Sequence, residues 1–195
     1  GGAKKVIVLE KRFATGGDGL RCNHIFAVES RLQKKEGITV TADQIYKRAL
    51  EFHKYDRVNP RLLRTLINKT ADTIAWLEGK GVVFKLLVQG PDPKTATTHV
   101  EKDMPLPDSL CSLGKVFRSL TQQSIDAGVR FILRTSGKKI LRGANGEVTG
   151  VIAQTKDGQE ITIKTKAVIL CPGSFVGNKE LLKKYFPHYY DDVYY

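Results

Sequence analysis

Val6-Ile7-Val8-Leu9 is a β-branched, wholly apolar run that stops abruptly at Glu10-Lys11-Arg12. A strand with one wet face alternates apolar and polar residues. A continuous run instead needs cover on both faces, as in a parallel sheet lying between helices. The run therefore predicts a short buried strand of an α/β fold. Ala167-Val168-Ile169-Leu170-Cys171 predicts a second strand of the same kind, entering the turn Pro172-Gly173-Ser174. A glycine-rich loop, Thr15-Gly16-Gly17-Asp18-Gly19, follows the first run.

Between these runs the pattern is mostly helical. Thr41 and Gln44 have capping-box spacing and predict a helix from there to about Tyr55, with Ile45, Ala49, Leu50 and Phe52 turned inward. Asn59-Pro60 opens a second helix, with Leu63, Leu66, Ile67, Ala71, Ile74 and Leu77 at helical spacing and a stop at Gly79 to Gly81. Trp76 reads as helix packing. Val82 to Val88 is a predicted strand. Gln89 to Pro107 carries four prolines and reads as an irregular excursion. Asp108 is placed to cap a third helix, with Leu110, Leu113, Phe117, Leu120 and Ile125 on one face and Gly128 at its end. Val129 to Thr135 follows as a strand. From Lys138 to Lys166 the period is two, with hairpin turns at Asn145-Gly146 and Asp157-Gly158, which predicts a three-stranded meander. Asn178 caps a last helix to about Tyr185.

The net charge of +12 points either to an anionic partner (nucleic acid, an acidic membrane surface or a phosphorylated small molecule) or to a basic but solvated surface. The basic residues are spread along the chain, which suits a folded protein with a positive face better than a binding arm. Cys22, Cys111 and Cys171 are odd in number and far apart, so they predict three thiols in a reducing compartment. The longest apolar runs are about five residues, far short of the roughly 20 that span a bilayer. No export signal is evident, and the expected location is cytoplasmic. His24, His53, His99 and His188 lack the i+3 or i+4 partners of a metal site, so no metal is expected. No GxSxG elbow or P-loop lysine–serine pair occurs, and no residue is assigned a catalytic role.

Glu10 is the sharpest candidate. An acidic residue at the carboxyl end of a buried strand is where dinucleotide-binding folds accept hydrogen bonds from a ribose diol; otherwise it is a solvated strand end. Gly16 and Gly17 permit close backbone approach to a phosphate, or form an ordinary turn. Ala167 to Ser174 either faces a cofactor with its backbone or is a core strand with a turn.

In order, the chain has a buried strand with an acidic end, a Gly-Gly loop, a helical stretch, a meander and a buried strand entering a glycine turn. This resembles the FAD-binding domain of the fumarate reductase and succinate dehydrogenase flavoprotein family. The residues carrying the resemblance are Gly2 to Lys11, Gly16-Gly17-Asp18, Asn59 to Leu77, and Ala167 to Phe175 with Gly177 to Glu180. It implies a partial Rossmann-like domain over residues 1–175, with a three-layer core, a helical insertion over about 41–79 and the meander over about 138–166. Residues 176–195 would begin a capping domain. It also implies FAD as cofactor, with Glu10 on the adenosine ribose, Lys11 and Arg12 next to it, and Gly16, Gly17 and Asp18 in the loop against the nucleotide. Gly137 would offer backbone to the adenine, and Cys171, Pro172 and Gly173 would line the cofactor.

The chain departs from the family pattern in several places. It has no GxGxxG turn, the family's pyrophosphate holder and the link from its central strand to its first helix. Asp18 stands where the family has Asn, His24 where it usually has Gly, and Cys171-Pro172 where it has Ala-Thr. Lys11 and Arg12 partly offset the missing turn with positive charge. The expectation is part of an FAD-dependent oxidoreductase, inactive alone and holding FAD weakly or not at all. The unpaired edges of the Val6 and Val168 strands predict self-association. The alternative is a basic nucleic-acid- or nucleotide-binding module without redox activity, although no element interleaves aromatics with Lys and Arg for specific nucleic-acid contacts.

Overall fold

A computed structural model describes residues 2–55, 57–88, 91–103 and 113–187. In chain order the elements are β1 (Ile7–Leu9), β2 (Ile25–Phe26), α1 (Arg31–Lys35), α2 (Ala42–Phe52), α3 (Pro60–Gly79), β3 (Phe84–Leu87), β4 (Thr98–Glu101), α4 (Leu113–Asp126), β5 (Arg130–Ile132), β6 (Thr135–Arg142), β7 (Val148–Thr155), β8 (Glu160–Lys164) and α5 (Lys179–Tyr185). The chain is a mixed α/β protein, as the sequence predicts. It forms two compact units: residues 1–18 with 130–195, and residues 19–129.

In the first unit β1 pairs in parallel with β5, with Ile7 opposite Arg130, Val8 opposite Phe131 and Leu9 opposite Ile132. The predicted parallel strand is present, but it is only partly covered: Val6 and Ile7 are 39% and 42% exposed. Antiparallel β6, β7 and β8 form the predicted meander, in that order. Gly146 and Gly158 occupy its turns with φ of 81° and 85°, a backbone region that favours glycine. Asn178 caps α5 by accepting from the Leu181 N–H at 3.0 Å.

The predicted buried strand at Ala167 to Cys171 does not form. None of these residues pairs into a sheet, and Ile169 and Leu170 are 90% and 68% exposed. Apolar, β-branched residues make a buried strand only when neighbours occupy its edges and faces. Among the described residues no strand lies beside this segment.

The second unit is built on helices and the antiparallel sheet β2-β4-β3. Thr41 and Gln44 make the predicted capping box on α2. Asn59 accepts from the N–H groups of Arg61 and Leu62, with Pro60 in the first turn of α3. One core cluster joins Ala27, Ile74, Leu77, Val82, Phe84, Leu113 and Val116, and a second joins Val28, Val40 and Ile67. Gly128 ends α4 at φ 87°. Its predicted cap at Asp108, together with Leu110 and Cys111, lies outside the described residues, as does His188.

Several inward assignments on these helices are reversed. Phe52, Leu66, Trp76 and Ile125 are all about half exposed or more. Part of the predicted irregular excursion is β4, the central strand of the sheet. α1 was not foreseen, although Ser30 and Gln33 carry the same capping-box spacing and form that box.

Candidate functional site

Every sequence-predicted site residue falls in the unit formed by residues 1–18 and 130–195. Glu10 directly follows β1 and is fixed at three points. Its N–H donates to the Ile132 carbonyl at 3.1 Å, and its carbonyl accepts from the Thr135 N–H at 2.9 Å. Its carboxylate Oε1 accepts from the Arg12 N–H at 2.7 Å. The Arg134 N–H closes the arrangement by donating to the Arg12 carbonyl at 2.9 Å. The Glu10-Lys11-Arg12 turn is thus stapled to the β5–β6 junction, with Glu10 half-buried and Lys11, Arg12 and Arg134 exposed.

The parallel pairing explains why the carboxylate lands here. β1 and β5 end together, so their following residues emerge at one carboxyl edge of the sheet, where open α/β sheets hold ligands. Arg134 takes a left-handed backbone, φ 53°, to turn from β5 into β6. Such a conformation is uncommon for a residue with a Cβ and costs on the order of 1 kcal/mol or more. Arg134 and the buried Thr135 were missed as supports of Glu10. They lie more than a hundred positions away in the chain, and only the β1–β5 register brings them together.

Gly137 lies beside Leu9: a Cβ built there would sit 4.0 Å from Leu9 Cδ1, an ordinary contact. The residue marks a bulge, where β6 carries one extra residue between Gly137 and Lys139 against β7. Gly16 and Gly17 have φ of 108° and 48°, so a side chain at either would be strained. Asp18 continues into a short 3-10 turn over Gly17–Arg21. Cys171, Pro172 and Gly173 are exposed, with Gly173 at φ 76°. No hydrogen bond joins them to the Glu10-Lys11-Arg12 turn among the described residues. The structure therefore brings Glu10, Lys11, Arg12 and Gly137 together and leaves the 171–173 turn without a link to them.

These groups suit an adenine nucleotide. A carboxylate held at a strand's carboxyl end accepts from vicinal hydroxyls, neighbouring cations offset phosphate charge, and positive-φ glycines admit backbone to close range. No cluster of three or more metal-ligating side chains occurs among the described residues. Cys171 is an exposed thiol outside any disulfide among the described residues, and Cys22 is exposed. No described helix is long and apolar enough to cross a membrane.

Residues 1–193 match the family model described as FAD binding domain. A vinyl phenol reductase of Lactiplantibacillus plantarum is 31% identical over 185 residues, covering 94% of this chain and 36% of the relative. An NADH:fumarate oxidoreductase of Klebsiella pneumoniae is 27% identical over 183 residues, covering 93% of this chain and 19% of the relative. The chain thus spans about a third or less of these relatives' lengths. The open conformation of a flavocytochrome c3 fumarate reductase shares the fold, with a TM-score of 0.75 at 22% identity over 95% of this chain and 32% of that one.

Proposed function

The chain belongs to the FAD binding domain family, and from that premise we propose that it supplies the adenosine-binding part of a flavin-dependent oxidoreductase. The whole protein would pass a hydride between flavin and a small substrate. FAD is the cofactor of the family, and when bound it supplies the redox chemistry through its flavin ring. The work of this chain is to hold and orient the nucleotide end.

The observation that carries this reading is the fixed carboxylate of Glu10. Oε1 already accepts from the Arg12 N–H, which tethers the carboxylate by one oxygen and leaves Oε2 for the ribose hydroxyls. Two hydroxyls on one ionised acceptor make charge-assisted hydrogen bonds, roughly twice as strong as neutral ones. Lys11 and Arg12 then face the phosphates, and Gly16 and Gly17 admit them to the backbone. Gly137, at the bulge, offers backbone to the adenine. In this reading Cys171, Pro172 and Gly173 also line the cofactor. Asp18 works against phosphate binding, since it adds negative charge to the same loop. No residue of the chain is given a proton- or hydride-transfer role.

The reading is tested by titrating ADP into the 195-residue chain and following backbone amide shifts. Shifts should centre on residues 10–12 and 134–137 and disappear in Glu10→Ala. Shifts elsewhere, no shifts at millimolar ADP, or an undiminished response in Glu10→Ala would each refute it.

A further inference from the structure

α2 and α3 pack as a helical hairpin, with Ile45 and Tyr46 of α2 and Leu63 of α3 against the cluster that contains Ile67. Arg64 fastens the pair through Asp43 at 2.6 Å and by stacking 3.8 Å over the Tyr46 ring. Among the described residues nothing covers one face of α3. Leu62, Leu66, Lys69, Thr73 and Trp76 follow i, i+4, i+7, i+11 and i+14 spacing, which places them on one stripe about 21 Å long. Leu62, Leu66 and Trp76 are 68%, 61% and 54% exposed. At the connecting turn Phe52 and Tyr55 are 82% and 60% exposed. Lys54 and Tyr55 both take left-handed backbone, φ 50° and 62°, and the Tyr55 N–H is tied to the Leu50 carbonyl at 2.9 Å.

The charge around this apolar surface is one-sided. Residues 47–76, which span this surface, contain seven Lys and Arg against three acidic residues. Lys54, Arg57 and Arg61 are exposed and make no ion pair among the described residues. A second copy docked here would set like charges face to face. A nucleic acid would meet the cations but gains little from exposed leucines, which cannot stack on bases. Large aliphatic and aromatic side chains beside Lys and Arg on an otherwise polar helix fit a phospholipid interface. There the apolar groups enter the acyl boundary while the cations meet headgroup phosphates.

We propose that the outer stripe of α3, together with residues 52–55 and Arg57, forms a peripheral docking surface for an anionic phospholipid membrane. Leu62, Leu66, Trp76, Phe52 and Tyr55 enter the interface, and Lys54, Arg57 and Arg61 contact the headgroups. The surface is independent of the nucleotide site.

The test is co-sedimentation of the 195-residue chain with vesicles of equal parts phosphatidylcholine and phosphatidylserine, beside phosphatidylcholine alone and a vesicle-free control. The chain should sediment with the anionic vesicles only. Trp76, the sole tryptophan, should shift its emission to the blue on binding. Leu62→Ser with Leu66→Ser should lower partitioning by about tenfold or more, because two apolar side chains no longer enter the interface. Arg57→Glu with Arg61→Glu should lower it by a similar factor through loss of headgroup attraction. Circular dichroism of both variants should match the parent. No sedimentation, equal sedimentation with phosphatidylcholine alone, an unmoved Trp76 emission, or unaltered partitioning of the folded leucine variant would overturn the proposal. Retention on a single-stranded oligonucleotide without vesicle binding would overturn it too, assigning the surface to nucleic acid. The Trp76 emission needs no substitution, so the proposal stays testable if a variant fails to fold.

Discussion

Ser30 Oγ and His99 Nε2 lie 2.7 Å apart in an interior where Ser30 is 1% and His99 0% exposed. Their bond fixes a proton arrangement. The Thr97 carbonyl, 3.4 Å from His99 Nδ1, can only accept, so Nδ1 carries the hydrogen and Nε2 accepts from the Ser30 hydroxyl. The same Ser30 oxygen accepts from the Gln33 N–H in the α1 cap, and the Gln33 amide donates to the Ala96 carbonyl at 2.6 Å. One neutral imidazole therefore ties the central strand β4 to the start of α1. It is a structural residue, buried beyond the reach of a substrate.

Burial holds the His99 pKa below its ordinary 6.5, with the Thr97 carbonyl opposing the shift. The folded state thus binds the proton less readily than the unfolded one. This contribution to stability is fully present above pH 6.5 and is lost as pH falls from there through the lower folded-state pKa. The slope for one such group is at most about 1.4 kcal/mol per pH unit. Urea midpoints from pH 8 to pH 5 should fall with acidification, and His99→Gln should flatten the curve below about pH 6.5 relative to the parent. Parallel curves for the two proteins would remove His99 as the cause.

Two α3 residues of similar size should respond differently to truncation. Ile74 is 1% exposed inside the larger core cluster, and its change to Ala should cost about 2–5 kcal/mol. Leu66 is 61% exposed, so Leu66→Ala should stay within about 0.5 kcal/mol. Denaturant melts of both variants check this, and equal losses would mean that the outer stripe of α3 is covered in solution.

Purified chain should be colourless. The sequence contains no GxGxxG turn, so the pyrophosphate finds no donors of that kind here. Charge-assisted hydrogen bonds contribute roughly 1.5–3 kcal/mol each, and two fewer weaken binding by about a hundredfold or more. Absorbance after gel filtration with added FAD decides the matter; a yellow monomer with a flavin spectrum would contradict the expectation.

The outer edge of β1 has no strand beside it among the described residues, and Ile169 and Leu170 stand exposed in the same unit. Open apolar edges pair with other chains. Light scattering should give a mass above 21.7 kDa. Association should strengthen with added salt, which screens repulsion between chains of charge +12. Ile169→Lys with Leu170→Lys should shift the protein toward monomer. A monomer at all salt concentrations would show that the edge is inert.

Elements whose signals are local were legible in the chain. Thr41 with Gln44, Asn59 with Pro60, Asn178 before α5 and the two hairpin glycines all act within a few residues, and each did in the fold what its spacing predicts. The position of Glu10 at a strand end was equally readable, because the apolar run stops there.

Its surroundings were not readable. Thr135 and Arg134 reach the Glu10-Lys11-Arg12 turn only through the β1–β5 register, and no local pattern encodes a pairing across that separation. Helical spacing places Leu66 and Ile67 on neighbouring parts of α3, but packed neighbours decide which one is covered. Thr98 to Glu101 sits in a proline-rich stretch and becomes a central strand because β2 and β3 flank it. Ala167 to Cys171 has the composition of a buried strand and remains outside any sheet, since backbone groups form a strand only against a partner. Periodicity, caps and turns are properties of contiguous residues; burial and pairing belong to contacts that the folded chain alone brings together.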